Sequence, residues 1–160
     1  ELPDSILNAV AFYVKTLAVP ARRNVTDARV QAGEKLFTQL QCSKCHIPTI
    51  QTGVNLTLPQ ISNQRIHPYT DLLLHDMGAG LADDRPDFLA TGSEWRTMPL
   101  WGIGLFPKTN GTAFYLHDGR ARTIEEAILW HGGEAKKSKQ QFMNLNKSDR
   151  DNLLKFLNSL

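Results

Sequence analysis

Apolar residues recur at helical spacing in a few separate stretches of this chain, and long runs rich in Gly, Pro, Thr and Asn lie between them. In residues 2–18, Ile6, Leu7, Val10, Val14 and Leu17 share one helix face, with Asp4 or Ser5 placed as cap and Pro20 beyond the end. After a linker over residues 21–25, Thr26 can cap a second helix whose apolar face is Val30, Gly33, Leu36, Phe37 and Leu40. A glycine inside a helix costs about 1 kcal/mol, so Gly33 is expected to mark a close helix crossing. Residues 47–66 read as extended loop with a short hairpin near Gly53. A short helix is predicted over 69–75, capped by Thr70 or Asp71 and ended by Gly78 and Gly80. Residues 81–122 hold few helical periods and many Gly, Pro and aromatic residues, the pattern of a long wrapping segment, which in a compact domain is usually functional. Thr123-Ile124-Glu125-Glu126 is a capping box opening onto Ala127, Ile128, Leu129 and Trp130, and Gly132 and Gly133 stop that helix just after His131. A last helix begins at Asn146 or Ser148 and carries the stripe Leu153, Leu154, Phe156, Leu157 and Leu160. The expected fold class is all-α, with four or five helices joined by long loops.

The 160 residues include 41% hydrophobic and 21% charged side chains, with 18 Lys and Arg against 16 Asp and Glu, the profile of one globular domain. A formal charge of +2 is too small for a nucleic-acid footprint, and the cluster Lys136, Lys137 and Lys139, without interleaved aromatics, reads as a solvated loop. No apolar run approaches the roughly 18 residues of a membrane-spanning helix. Neither nucleic-acid binding nor membrane insertion is therefore expected. The opening Glu1-Leu2-Pro3-Asp4 has neither the basic start nor the apolar segment of a secretory signal, so the numbering is expected to begin on a mature or excised chain.

Two cysteines cannot staple a disulfide scaffold, and their placement matters more than their number. Both fall in Cys42-Ser43-Lys44-Cys45-His46. C-x-x-C-H is the motif of covalent c-type haem attachment: two thiols at this spacing span the two vinyl-derived carbons of one porphyrin edge, and His46 reaches the iron from the proximal side. A thioredoxin-like redox pair needs a strand before the motif and a helix after it, whereas here a helix precedes and a Pro-containing loop follows. A zinc site needs further ligands at short spacing. By chemistry alone the sixth iron position is open to Met77, Met98, Met143, His67, His75, His117, His131 or Tyr115. Most of these are expected to serve as core, surface or cap residues. His131 stands apart by position, at a glycine-terminated helix end where Gly132 and Gly133 leave room for a porphyrin and Trp130 can pack on the macrocycle.

Over residues 25–160 the sequence is similar to a known family. The stretches PYTDLLLHDMGAGLADDR (68–85), GSEWRTMPLWGIGL (92–105) and YLHDGRARTIEEAILWHGGEA (115–135) resemble the C-terminal haem domain of the bacterial di-haem oxidoreductases, peroxidase-like proteins also called thiol oxidoreductases. More distantly the chain is similar to di-haem cytochrome c peroxidases and to the methylamine dehydrogenase maturation enzyme. The fragment H-D-G-R-x-x-T-I-E-E-A-I is the specific part. In those relatives the residue five positions after the second Glu of the E-E pair is the sixth ligand of the C-terminal haem, Met in the peroxidases and Tyr in the maturation enzyme. The resemblance thus implies His46 and His131 as the iron ligands here. Two imidazoles usually give a lower reduction potential than a His/Met pair. The resemblance also implies that the peroxide-cleaving haem belongs to a preceding domain with its own C-x-x-C-H. Residues 1–20 are read as the closing helix of that domain or an N-terminal extension, and residues 25–160 as the c-type haem domain.

Arg96, Arg120 and Arg122 flank glycine-rich segments, where they can pair with haem propionates or cap loops. His117-Asp118 and His75-Asp76 are expected to hold turns. The expectation is a cytochrome c-like helical domain around one covalent haem c, bound by Cys42, Cys45, His46, His131, Arg96, Arg120 and Trp130, with His46 and His131 on the iron and no catalytic residue assigned. Its expected role is single-electron transfer as the electron-transfer half of a di-haem peroxidase-like oxidoreductase, with a redox partner protein or a second haem domain. The alternative is an open-site haem enzyme reacting with peroxide, should His131 leave the iron free. A bacterial periplasmic location follows, because covalent haem attachment there takes place after export.

Overall fold

A computed structural model describes residues 2–160. At its centre two helices cross, α2 (Ala28–Gln39) and α6 (Lys147–Leu157). Asp27, in place of the expected Thr26, caps α2 by accepting from the N–H groups of Arg29 and Val30, and Val30, Gly33 and Phe37 form its buried face. Asn146 caps α6 through the N–H of Asp149, and Leu153, Phe156, Leu157 and the following Leu160 are buried. The helices meet at Gly33. A Cβ there would lie 2.1 Å from the carbonyl oxygen of Asn152 and 2.7 Å from Phe156 Cβ, so the crossing requires glycine. Phe37 packs edge-on to Tyr69 at 5.9 Å between ring centres and tilted against Phe156 at 5.4 Å. Each large apolar side chain buried here contributes on the order of 1.5–3 kcal/mol. Lys155 on α6 donates to Asp27, and Arg22 donates twice to Glu34 at 2.8 Å while its guanidinium covers the Phe156 ring.

The fold is mixed, in contrast to the all-α expectation, with 43% of residues helical and 9% in strand. Two small antiparallel sheets account for the difference. The first pairs β1 (Ile50–Gln51) with β2 (Arg65–Ile66), Ile50 opposite Ile66, and its long connection contains Gly53. The second pairs β3 (Leu74–Asp76) with β4 (Glu94–Arg96), placing His75 opposite Trp95. The helix predicted over 69–75 does not form. Tyr69 and Leu72 sit at φ 55° and 60°, outside right-handed helical space. Thr70 Oγ1 accepts from the Leu72 N–H and Asp71 Oδ1 from the Leu73 N–H, so the two residues placed as caps by the sequence close local turns instead.

The first helix, α1 (Asp4–Thr16), forms as predicted but starts after Pro3, and none of its side chains is buried. The linker behind it is fastened to the end of the chain: the Arg23 N–H donates to Ser159 O at 2.8 Å and its guanidinium to Leu160 O at 2.8 Å. Within the wrapping segment lies a short α3 (Phe106–Asn110), whose Phe106 stacks on the buried Tyr115. The capping box opens α4 (Ile124–Trp130): Thr123 Oγ1 accepts from the Glu126 N–H at 3.0 Å, and the Glu126 carboxylate accepts from the Arg122 N–H at 2.8 Å. The lysine cluster read as a loop belongs to a further helix, α5 (Lys136–Met143), whose buried residue is Phe142. With so few apolar positions, its sequence lacks the periodicity that marks the other helices. Among the described residues no helix is long and apolar enough to cross a membrane.

Candidate haem centre

Gln41, at φ 65°, ends α2 and starts a 3-10 turn over Cys42–Lys44, and the His46 N–H donates to Cys42 O at 3.0 Å. Both thiols and the histidine are thereby held in one compact turn just beyond the C-terminal end of α2. The cysteines are free and half-buried. Burial pushes the Cys42 thiol up to about 11; burial, and then the carboxylates of Asp71 and Glu134, raise that of Cys45. A dithiol redox pair needs the opposite, a thiolate stabilised by positive surroundings. The zinc reading is no better served: Cys45, Asp71 and His75 come within 4.8 Å of one another, a group that omits both Cys42 and His46.

His46 Nδ1 lies 3.0 Å from Tyr69 O, and His131 Nδ1 lies 2.7 Å from Ala127 O. A carbonyl oxygen only accepts, so each Nδ1 carries the proton and each Nε2 keeps its lone pair, the tautomer of a metal-binding imidazole. Burial holds both rings neutral, lowering His131 and taking His46 down to about 4, with His131 adding to the effect on His46. The two ring centres are 6.5 Å apart. An imidazole nitrogen stands about 2.0 Å from a first-row metal, with the ring centre about 1.1 Å behind it, so two rings facing each other across one ion have centres about 6.2 Å apart. The residues present thus fit a haem iron between them. Leu72, Leu73 and Leu74, just after Tyr69, and Leu129 and Trp130, just before His131, are exposed.

Arg120 and Trp130 come together beside His131. The Arg120 guanidinium stands 4.8 Å over the Trp130 ring, donates from Nε to Asp118 at 2.5 Å and from Nη1 to Gly80 O at 2.6 Å. Arg96 lies exposed on β4 with its guanidinium 3.5 Å from Met98 Sδ. His117 holds its turn, with Nε2 2.8 Å from Arg96 O and the ring stacked on Trp95 at 4.8 Å. His75, read as a turn residue, lies between two carboxylates: Nε2 is 2.8 Å from Asp71 Oδ2 and Nδ1 is 3.0 Å from Glu134 Oε2. Asp71, Glu134 and the carbonyls of Tyr69 and Ala127 are site groups that sequence reasoning missed. The i,i+4 spacing of Asp71 and His75 and the acid directly after Gly132-Gly133 were the signals available. Those glycines also serve a close backbone approach: a Cβ on Gly132 would lie 2.6 Å from Met77 O, and one on Gly133 would lie 2.1 Å from Asp76 O.

The family model described as "Di-haem oxidoreductase, putative peroxidase" matches residues 1–160. The chain belongs to this di-haem oxidoreductase family, which gives it a haem cofactor and a redox role. Among solved structures it is similar to hydrazine synthase of Kuenenia stuttgartiensis, pressurized with 20 bar xenon, with a TM-score of 0.58 at 19% identity, a likeness of fold. That match covers 96% of this chain and 55% of the other, so the chain spans about half the length of the structure it resembles. No curated protein sequence matches it.

Proposed function

We propose that this chain is a c-type cytochrome domain passing single electrons, the electron-transfer half of a di-haem peroxidase-like oxidoreductase in the bacterial periplasm. Cys42 and Cys45 would hold one haem c, with His46 and His131 as the residues that would bind its iron, Arg120 and Trp130 beside His131, and Arg96 available to a propionate. When bound, the haem supplies a one-electron couple at its iron. The observation that carries this reading is the pair of neutral imidazoles with ring centres 6.5 Å apart, each fixed by a backbone carbonyl in the tautomer that frees Nε2. With both in place, peroxide has no position to occupy. The chain's own residues then hold the ligands still: Tyr69 O and Ala127 O set the ring orientations, and burial keeps protons off the Nε2 of each ring.

The unburied α1 supports the arrangement with a second haem domain. It has 13 residues and exposes Ile6, Leu7, Val10, Tyr13 and Val14. A helix this short is marginal in water by itself, so its apolar face packs on a preceding haem domain, the redox partner of this one. Cyanide and carbon monoxide separate the two functions. A domain with two firm histidine ligands binds them slowly or not at all; fast, tight binding would assign the chain instead to the alternative, an open-site haem enzyme reacting with peroxide.

A further inference from the structure

The loop that follows His131 is fastened to strand β3 in two ways. Its glycines approach the strand backbone to backbone, where a Cβ on Gly133 would meet Asp76 O at 2.1 Å and one on Gly78 would meet Gly133 N at 2.8 Å. Glu134 adds a two-armed side-chain contact, accepting from the Asp76 N–H through Oε1 at 3.0 Å and facing His75 Nδ1 through Oε2 at 3.0 Å. His75 in turn faces Asp71 Oδ2 at 2.8 Å. Both ring nitrogens meet carboxylates, which only accept, so His75 is held as a cation donating at each end.

The same short segment also reaches the proximal ligand. Tyr69 O accepts from His46 Nδ1, and the Thr70 N–H donates to Ile47 O at 3.1 Å, directly after His46. Residues 69–76 therefore touch the proximal histidine at one end and, through Glu134, the distal loop at the other. We propose that Asp71, His75 and Glu134 form a clasp that positions His131, with Glu134 as the residue whose grip decides whether the sixth position stays closed or opens to a small ligand. The proposal rests on the bis-histidine reading above. Glu134 does not touch the iron; it acts through the two glycines between itself and His131, which also pack against the backbone of residues 76–78.

The test uses purified haem-loaded protein, with cyanide as probe and the ferric absorption spectrum as spin-state readout. In Glu134→Ala the resting spectrum stays low-spin, while the cyanide association rate rises about tenfold or more, the loss of one charge-assisted contact. Glu134→Gln, which keeps an acceptor for the Asp76 N–H, falls between the two. Lys155→Ala, which breaks the remote ion pair with Asp27, lowers global stability without changing the cyanide rate. Cyanide binding to Glu134→Ala at the wild-type rate overturns the clasp, as does an equal rise in Lys155→Ala. A high-spin wild-type spectrum overturns the bis-histidine reading itself, so the two failures are distinguishable.

Discussion

The crossing at Gly33 places α2, and with it the CSKCH turn, against α6, and Gly33→Ala tests how tightly that placement is fixed. The added methyl would sit 2.1 Å from Asn152 O and 2.7 Å from Phe156 Cβ. An ordinary carbon–oxygen approach is about 3.3 Å, so the helices must separate by about 1 Å. The obstacle on one side is backbone, which cannot rotate away. Overpacking of this kind costs about 1–3 kcal/mol, and a backbone clash belongs at the upper end. Against it stands the higher helix propensity of alanine, a gain of about 1 kcal/mol. The expected net loss is about 2 kcal/mol, which for a domain of this size lowers the melting midpoint by about 4–8 °C. Thermal unfolding of the haem-loaded protein, followed by far-UV circular dichroism, measures it. Because Phe37 lies one turn on, 6.3 Å from the His46 ring centre, the Soret band should broaden as well. A midpoint equal to or above wild type would mean that propensity outweighs contact, and that the crossing is looser than this account requires.

Thr123→Ala removes the cap of α4, whose Ala127 carbonyl orients His131, and should cost about 1 kcal/mol in denaturant unfolding; an unchanged midpoint would show that α4 does not depend on its capping box. The Asp27 carboxylate is held below its ordinary value, first by Lys155 and then by the Arg29 N–H. Its folded pKa lies below the unfolded one, so its stabilisation is complete above about pH 4 and is lost as the pH falls through the folded value. The stability difference between wild type and Asp27→Asn should therefore shrink on acidification, and a constant difference down to about pH 2 would remove Asp27 from the pH response. Cys45→Ala leaves a single thioether through Cys42: its pyridine haemochrome band should move to longer wavelength with the haem still resisting extraction, and a haem that extracts freely would contradict attachment at Cys42.

The helices that define the core were legible because their apolar stripes have the helical period and their caps are side chains with one obvious task. Val30, Phe37, Leu153, Phe156 and Leu157 all bury as their spacing indicates, and Gly33 marks the crossing. The two sheets were not legible as strands, since two or three residues give no alternation to count. The segment 69–76 misled for a different reason: Thr70 and Asp71 are good caps and good turn-formers alike, and the positive φ of Tyr69 and Leu72, set by tertiary contacts, decides between them. In the candidate site, CSKCH and the stop after His131 were visible in the sequence. Tyr69 O and Ala127 O were not, because a backbone carbonyl leaves no trace in residue type. Glu134 was hidden by distance along the chain, 59 residues from His75, whereas Asp71, only 4 residues away, was read as a helix cap.

The central claim is that His46 and His131 both bind one iron, and near-infrared magnetic circular dichroism of the oxidised protein addresses it most directly, because the position of the ligand-to-iron charge-transfer band separates His/His from His/Met and from high-spin iron. The account predicts a low-spin bis-imidazole band in the wild type that gives way to a high-spin spectrum in His131→Ala. A wild-type spectrum that is already high-spin, or a His131→Ala spectrum identical to the wild type, would contradict it.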